Sequence, residues 1–295
     1  MTPRNALVTA ALMACGALSS ARAQNLLPLD FSQNVQAVNA IYPNNSTLGP
    51  EYYNGLSFDF RNVTTQGGQA VDARVSVIGT EGNYNFVGWI PDYNSDAGQP
   101  DGDLGVYYRH NGWFPPVDPQ NPDAERFSTG GMAFTISFFV GDGTFTTSTV
   151  LSEVGFLIYD FDGEPGQSEL IRTYLSDGFA GYQIRNGSGI DTHFQGDSQL
   201  FEAPGTNLSE TGPEGSFIAY YQNTSQIRFD LFSTTSTNNP PGNNGIFASF
   251  DGDLGIVGGN LSGYGAFVAI PEPGTPLLAG TALAGLLLRR SRTRS

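Results

Sequence analysis

From Gln24 to Ile270 no stretch of helical periodicity runs longer than about two turns, while alternating or β-branched apolar runs recur roughly every ten to twenty residues. That patterning excludes a helical body and predicts an all-β one. In 56–61, apolar Leu56, Phe58 and Phe60 alternate with Ser57, Asp59 and Arg61, so one strand face meets a core and the other meets water. Strands are expected at 56–63, 71–78, 84–90, 105–109, 132–140, 154–160, 178–185, 216–221, 227–232, 246–250 and 264–268. The run 154–158 is nearly all apolar and reads as a central strand covered on both faces. Strands in this number, joined by Gly and Asn turns, predict a single large two-sheet β-sandwich of the jelly-roll or lectin-like kind with long acidic Gly/Asn loops. Segments 118–125 and 234–245 carry linker-like Pro and Asn residues, but no change of composition flanks them, so both read as loops within one body.

Charge narrows the partners. The chain has no Lys, and removal of the terminal Arg4, Arg22, Arg289, Arg290, Arg292 and Arg294 together with Glu272 leaves a body of 27 acidic and 7 basic residues. Little remains to neutralise a run of phosphates, so nucleic acid is not an expected partner. Cations are. The single Cys, Cys15, lies near the N-terminus, so the body has no disulfide and bound metal is one candidate source of rigidity.

Both ends read as addresses. Arg4, the apolar run 6–18 and the small residues closing at Ala21-Arg22-Ala23 follow the layout of a secretory signal peptide, with signal peptidase cutting after Ala23. A second reading takes 12–16, around Cys15, as a lipoprotein box. At the C-terminus, Pro271-Glu272-Pro273 is followed by an apolar segment, 276–288, and then by Arg289, Arg290, Arg292 and Arg294. A helix of that length rises only about 20 Å against a ~30 Å hydrocarbon core, which suits transient membrane insertion better than permanent anchoring. The Arg cluster would stay cytoplasmic and leave the body outside. This order of parts resembles the PEP-CTERM sorting signal of Gram-negative bacteria. The resemblance implies handling by an exosortase, removal of the tail near the motif, and delivery to the cell surface or extracellular matrix, in a group associated with exopolysaccharide and biofilm production. The expected organisation is a signal peptide at 1–23, a β-sandwich body at 24–269 and a sorting signal at 270–295.

The loops carry the candidate chemistry. Asp92, Asn94, Asp96, Asp101 and Asp103 cluster in one Gly-rich loop, and Asp160, Asp162, Glu164 and Glu169 in another; Asp251 and Asp253 repeat the Asp-Gly-Asp-Leu-Gly phrase of 101–105. Closely spaced hard oxygens on flexible loops suit Ca²⁺ better than the stricter Mg²⁺. Asp-Gly is also a common turn pair, so solvated turns are the alternative. If the strand continued past 160, Asp160, Asp162 and Glu164 would share a face and resemble the catalytic strand of laminarinase-type β-glucanases. The chain departs from that family with Asp160 in place of its Glu nucleophile and with strand breakers Gly163 and Pro165. His110 and His193 support neither a triad nor a zinc site, and no phosphate-binding Gly loop occurs, so no catalytic residue is assigned. Tyr52-Tyr53, Trp89, Tyr93, Tyr107-Tyr108, Trp113-Phe114 and Tyr220-Tyr221 lie near turns, where a ring could stack on a sugar. Of each adjacent pair, alternation leaves one ring available, and Trp89 and Trp113 are the candidate carbohydrate contacts. The expectation is a non-enzymatic, exported surface or matrix protein, stabilised by Ca²⁺ and associated with extracellular polysaccharide. The alternatives are a secreted polysaccharide hydrolase and a carbohydrate-binding module.

Overall fold

Phe58 and Phe60 are buried while Ser57 and Arg61 are exposed, so the alternation at 56–61 becomes a strand with one face in the core. The computed structural model describes residues 26–32, 55–81, 88–89, 104–109, 118–121, 124–163, 166–206, 208, 214–236, 245–251 and 263–270. The strands are β1 (Ser57–Gln66), β2 (Gln69–Glu81), β3 (Gly88–Trp89), β4 (Leu104–Arg109), β5 (Phe127–Val140), β6 (Leu151–Tyr159) and β7 (Gln167–Tyr174). They continue as β8 (Phe179–Ile184), β9 (Asp191–Gln195), β10 (Ser198–Glu202), β11 (Phe217–Thr224), β12 (Gln226–Ser236), β13 (Gly245–Asp251) and β14 (Val268–Ala269). They form two antiparallel seven-stranded sheets, ordered β1-β2-β5-β12-β7-β10-β9 and β14-β8-β11-β6-β13-β4-β3. From β5 to β8 each successive strand crosses to the other sheet, so the core is built from residues far apart in the chain.

Aromatic rings fill the space between the sheets. Phe134 and Phe229 on the first sheet meet Phe156, Tyr221 and Phe250 on the second, with Phe229 and Phe250 centroids 4.7 Å apart and Phe156 and Phe229 5.8 Å apart. Phe156 and Phe229 meet edge-to-face and Phe229 and Phe250 at a tilt, and aromatic pairs in such offset arrangements each contribute about 0.5–1.5 kcal/mol beyond simple area burial. Near one side, segment 26–32 ties the sheets together. Leu27 bridges Val154 of β6, and the Asp30 amide donates to the Val63 carbonyl of β1 at 2.8 Å. Leu29 and Phe31 are thereby driven into the core, where Phe31 meets Phe60 edge-on at 5.3 Å.

The second sheet also has a covered outer face. Leu157, Ile218, Tyr220 and Tyr264 form a separate buried cluster, joined by Leu26, Tyr159 and Phe267. Thus β6 is covered on both faces, as the apolar run 154–158 predicts, with Phe156 pointing into the sandwich and Leu157 into the outer layer. One expectation is overturned here. Alternation should leave one ring of Tyr220-Tyr221 free, but Tyr221 lies in the core and Tyr220 under the outer layer, and both are 1% exposed or less.

Three strands go unanticipated: β7, β9 and β10. The strand expected at 264–268 is instead an extended strap that pairs through an isolated antiparallel bridge of Tyr264 with Arg185 and then in the two-residue β14. The strand expected to reach 160 stops at Tyr159, because Asp160 takes a left-handed conformation with φ of 57°.

Candidate functional site

The place where the body hands over to its C-terminal tail is built by that strap. Along β8 and into the turn after it, the Ile270 amide donates to the Ala180 carbonyl at 3.1 Å, the Gly265 amide to the Ile184 carbonyl at 2.8 Å, and the Asn186 amide to the Gly263 carbonyl at 2.9 Å. Side chains reinforce the backbone. The Tyr264 hydroxyl lies 2.7 Å from that of Ser216, its ring receives the Arg185 guanidinium at 5.6 Å, and Phe267 packs edge-on against Tyr220 at 5.4 Å. Gly181 makes this close approach feasible. Its φ is 155°, and a Cβ there would stand 2.8 Å from Phe267 Cε2 and closer still to the Val268 carbonyl oxygen. Between the strap and the turn after β8 runs an open groove of about 340 Å³, lined in part by Tyr182, Arg185, Ser188, Ile190, Ala266 and Val268.

Leu26 and Phe267 join the same outer cluster, so both ends of the body sit over β6 and β11.

Of the candidate metal ligands, Asp160 and Asp162 are described with their side chains. The loop after β6 turns at Asp160, and Asp162 is buried with its carboxylate accepting the Leu208 amide and its own amide donating to Glu169 Oε2 at 3.3 Å. Asp251 ends β13 and Trp89 ends β3 as backbone positions. Asp92, Asn94, Asp96, Asp101, Asp103, Glu164, Asp253, Trp113, Ala21, Ala23, Pro271, Glu272, Pro273, Arg289 and Arg290 lie outside the described residues. Among the described residues no group of three or more His, Cys, Asp or Glu side chains converges. His193, expected in a polar loop, is in β9, with Nε2 3.4 Å from Glu202.

The outer face of the first sheet carries an ion network. Asp230 is buried, accepts Arg228 Nε at 2.7 Å and the Tyr174 hydroxyl, and has Arg172 at 3.7 Å. Burial works against the Arg228 charge, but the hydrogen bonds and charge of Asp230 outweigh it and raise its pKa. Burial and the bond to Asp230 raise that of Tyr174. Asp177 accepts the Arg228 amide at 2.8 Å, yet its burial pushes its carboxyl above the usual value. Asp230, Arg228 and Tyr174 satisfy one another through these bonds, while the buried Arg172 Nε has no hydrogen-bond partner.

No curated protein matches the chain. Among solved structures, the N-terminal domain of the Streptococcus gordonii adhesin Sgo0707 is similar over 68% of this chain at 13% identity with a TM-score of 0.40. The match spans 48%, about half, of that chain's length. The adhesin domain of PrgB from Enterococcus faecalis is similar over 78% of this chain and 90% of its own at 11% identity and a TM-score of 0.40. Its DNA-bound form is similar over 66% of each chain at 11% identity and a TM-score of 0.37. At these scores the likeness says nothing about ligand or partner. Residues 269–292 match the PEP-CTERM protein-sorting motif, overlapping the last residue of β14. The chain therefore carries a PEP-CTERM sorting signal joined directly to its β-sandwich, which implies exosortase processing and export through a membrane-anchored intermediate to the cell surface.

Proposed function

We propose that this protein is a non-enzymatic interaction or structural component of the bacterial exterior, delivered by an exosortase, stabilised by Ca²⁺ and associated with extracellular polysaccharide. The observation that carries the reading is the junction: the sorting motif begins at residue 269, where β14 ends, so the signal starts as the chain leaves the sheet. Removal of the tail beyond Ile270 would cut no described strand. Support for Ca²⁺ comes from the acidic excess of the body and the carboxylate-rich loops at 92–103 and 160–164. Support for a non-catalytic body comes from Asp162, whose carboxylate is engaged by the Leu208 amide, and from Asp160, whose conformation ends β6.

The test is fractionation of cells with and without exosortase. The reading expects tailless protein at the surface or in the matrix of normal cells, and full-tailed protein in the inner membrane of exosortase-less cells. The same tailed, membrane-bound species in both strains would contradict it. Reducing-end release from a β-glucan panel by the purified protein, lost in Asp162→Asn, would replace the non-enzymatic reading with the hydrolase.

A further inference from the structure

One end of the sandwich interior is lined with oxygen instead of hydrocarbon. On the inward faces of β7 and β12, Ile171 pairs with Leu231 within the apolar core. Two residues along each strand, Glu169 pairs with Ser233, and two further on, Gln167 pairs with Thr235. The strict two-residue period of a strand keeps all of them on the face that Ile171 and Leu231 share. Gln167 is 2% exposed, Glu169 6%, and Ser233 and Thr235 are fully buried. Four oxygen-bearing side chains thus rise from a rectangle of Cβ atoms about 5 Å by 7 Å. The loop after β6 closes over it. The Asp162 amide reaches Glu169 Oε2, the Asp162 carbonyl accepts the Thr206 amide at 3.2 Å, and Gly163 lies so close to β7 that a Cβ would be 2.5 Å from the Gln167 carbonyl oxygen.

Within this enclosure Gln167 Oε1 and Ser233 Oγ have no hydrogen-bond partner. Buried polar atoms are almost always satisfied, and two orphaned oxygens beside a buried carboxylate indicate a missing electropositive partner. A carboxamide oxygen, hydroxyls and the carboxylates of Glu169 and Asp162 form a hard, all-oxygen donor set without imidazole or thiolate. Two carboxylates match the charge of a divalent ion. We propose that this polar end of the sandwich binds a divalent cation of the Ca²⁺ class, with Glu169, Gln167 Oε1 and Ser233 Oγ as ligands and Asp162 at the rim. The site deepens the calcium reading above and rests on it. It differs from the acidic loop at 92–103 in lying inside the fold and in drawing its ligands from two paired strands.

The experiment is calorimetric titration of the exported protein with CaCl₂ after chelator treatment, together with melting curves, for wild type, Ser233→Ala, Glu169→Gln and Asp103→Asn. Ser233→Ala removes one oxygen with little change of volume, and circular dichroism checks that Glu169→Gln is folded. The expected result is a calcium site weakened at least tenfold by Ser233→Ala and by Glu169→Gln, and kept in Asp103→Asn. Calcium binding or calcium-raised melting that persists unchanged in Ser233→Ala and folded Glu169→Gln would overturn this site and leave the loop reading standing. Absence of any calcium effect in wild type would overturn both. A Ser233→Ala protein that melts higher than wild type in chelator, with an unaltered calcium response, would also overturn the site and assign the two oxygens to a shared buried water.

Discussion

Gly181→Ala is the sharpest perturbation of the strap that joins the body to its sorting signal. The new methyl would press on Phe267, whose ring can rotate, and on the Val268 carbonyl oxygen, which is backbone and cannot yield without moving β14. Overpacking of this kind costs about 1–3 kcal/mol. Holding a non-glycine residue at a φ of 155° adds strain of order 1–3 kcal/mol. The strap can escape both by lifting, which breaks the Tyr264–Ser216 hydrogen bond and uncovers Ile218 and Tyr220. Relief by that route caps the loss, so the expected destabilisation is about 2–4 kcal/mol. Urea unfolding measures it, and limited proteolysis of the folded protein reports whether cleavage appears within 263–270. In a Phe267→Ala background the penalty of Gly181→Ala should shrink but persist, since the Val268 oxygen remains. A Gly181→Ala protein within about 0.5 kcal/mol of wild type and without new cleavage would refute the account of the strap.

Other consequences follow from single residues. Phe156 is fully buried among Phe31, Tyr221, Phe229 and Phe250, so Phe156→Ala should lower unfolding free energy by about 3–5 kcal/mol in urea titration. Asp72 is buried and accepts the amides of Asn62 and Gly143, each at 2.9 Å; Asp72→Ala should cost about 2–4 kcal/mol, and Asp72→Asn less, because one acceptor oxygen survives. Burial raises the Asp177 carboxyl in the folded state, so its charge is a burden at neutral pH that is relieved as pH falls through the raised value towards the unfolded one. Asp177→Asn should therefore match or modestly exceed wild-type stability at pH 7, by less than about 1 kcal/mol. The two proteins should converge below pH 4, as melting curves across pH would show.

The legible parts of the fold were those where the core face is apolar and alternation is clean, as in β1 at Phe58 and Phe60, or where a continuous apolar run marks a strand covered twice, as in β6. β7 was hidden because its inward face opens with Gln167 and Glu169, so polarity and burial coincide there and the usual pattern is inverted. The hairpin of β9 and β10 was hidden by its polar, exposed first strand, although Gly196-Asp197 between them is a two-residue turn signature that points to it. Tyr220 was misread because a strand's periodicity reports two faces but not what covers the second, and here the cover is a strap more than forty residues away in sequence. The sorting signal was readable from local order alone, since a Pro-Glu-Pro, a short apolar segment and an Arg cluster act through linear position. The oxygen-lined end of the interior was not, because Gln167 and Ser233 come together only through strand register.

The intact mass of the mature exported protein tests the account most directly, because it reads both ends in one number. The account predicts a polypeptide beginning at Gln24 and ending near Pro271-Glu272-Pro273, with the apolar segment and the Arg289–Arg290 cluster gone. A mature mass that retains residues 277–290 would contradict it and make the tail a permanent membrane anchor.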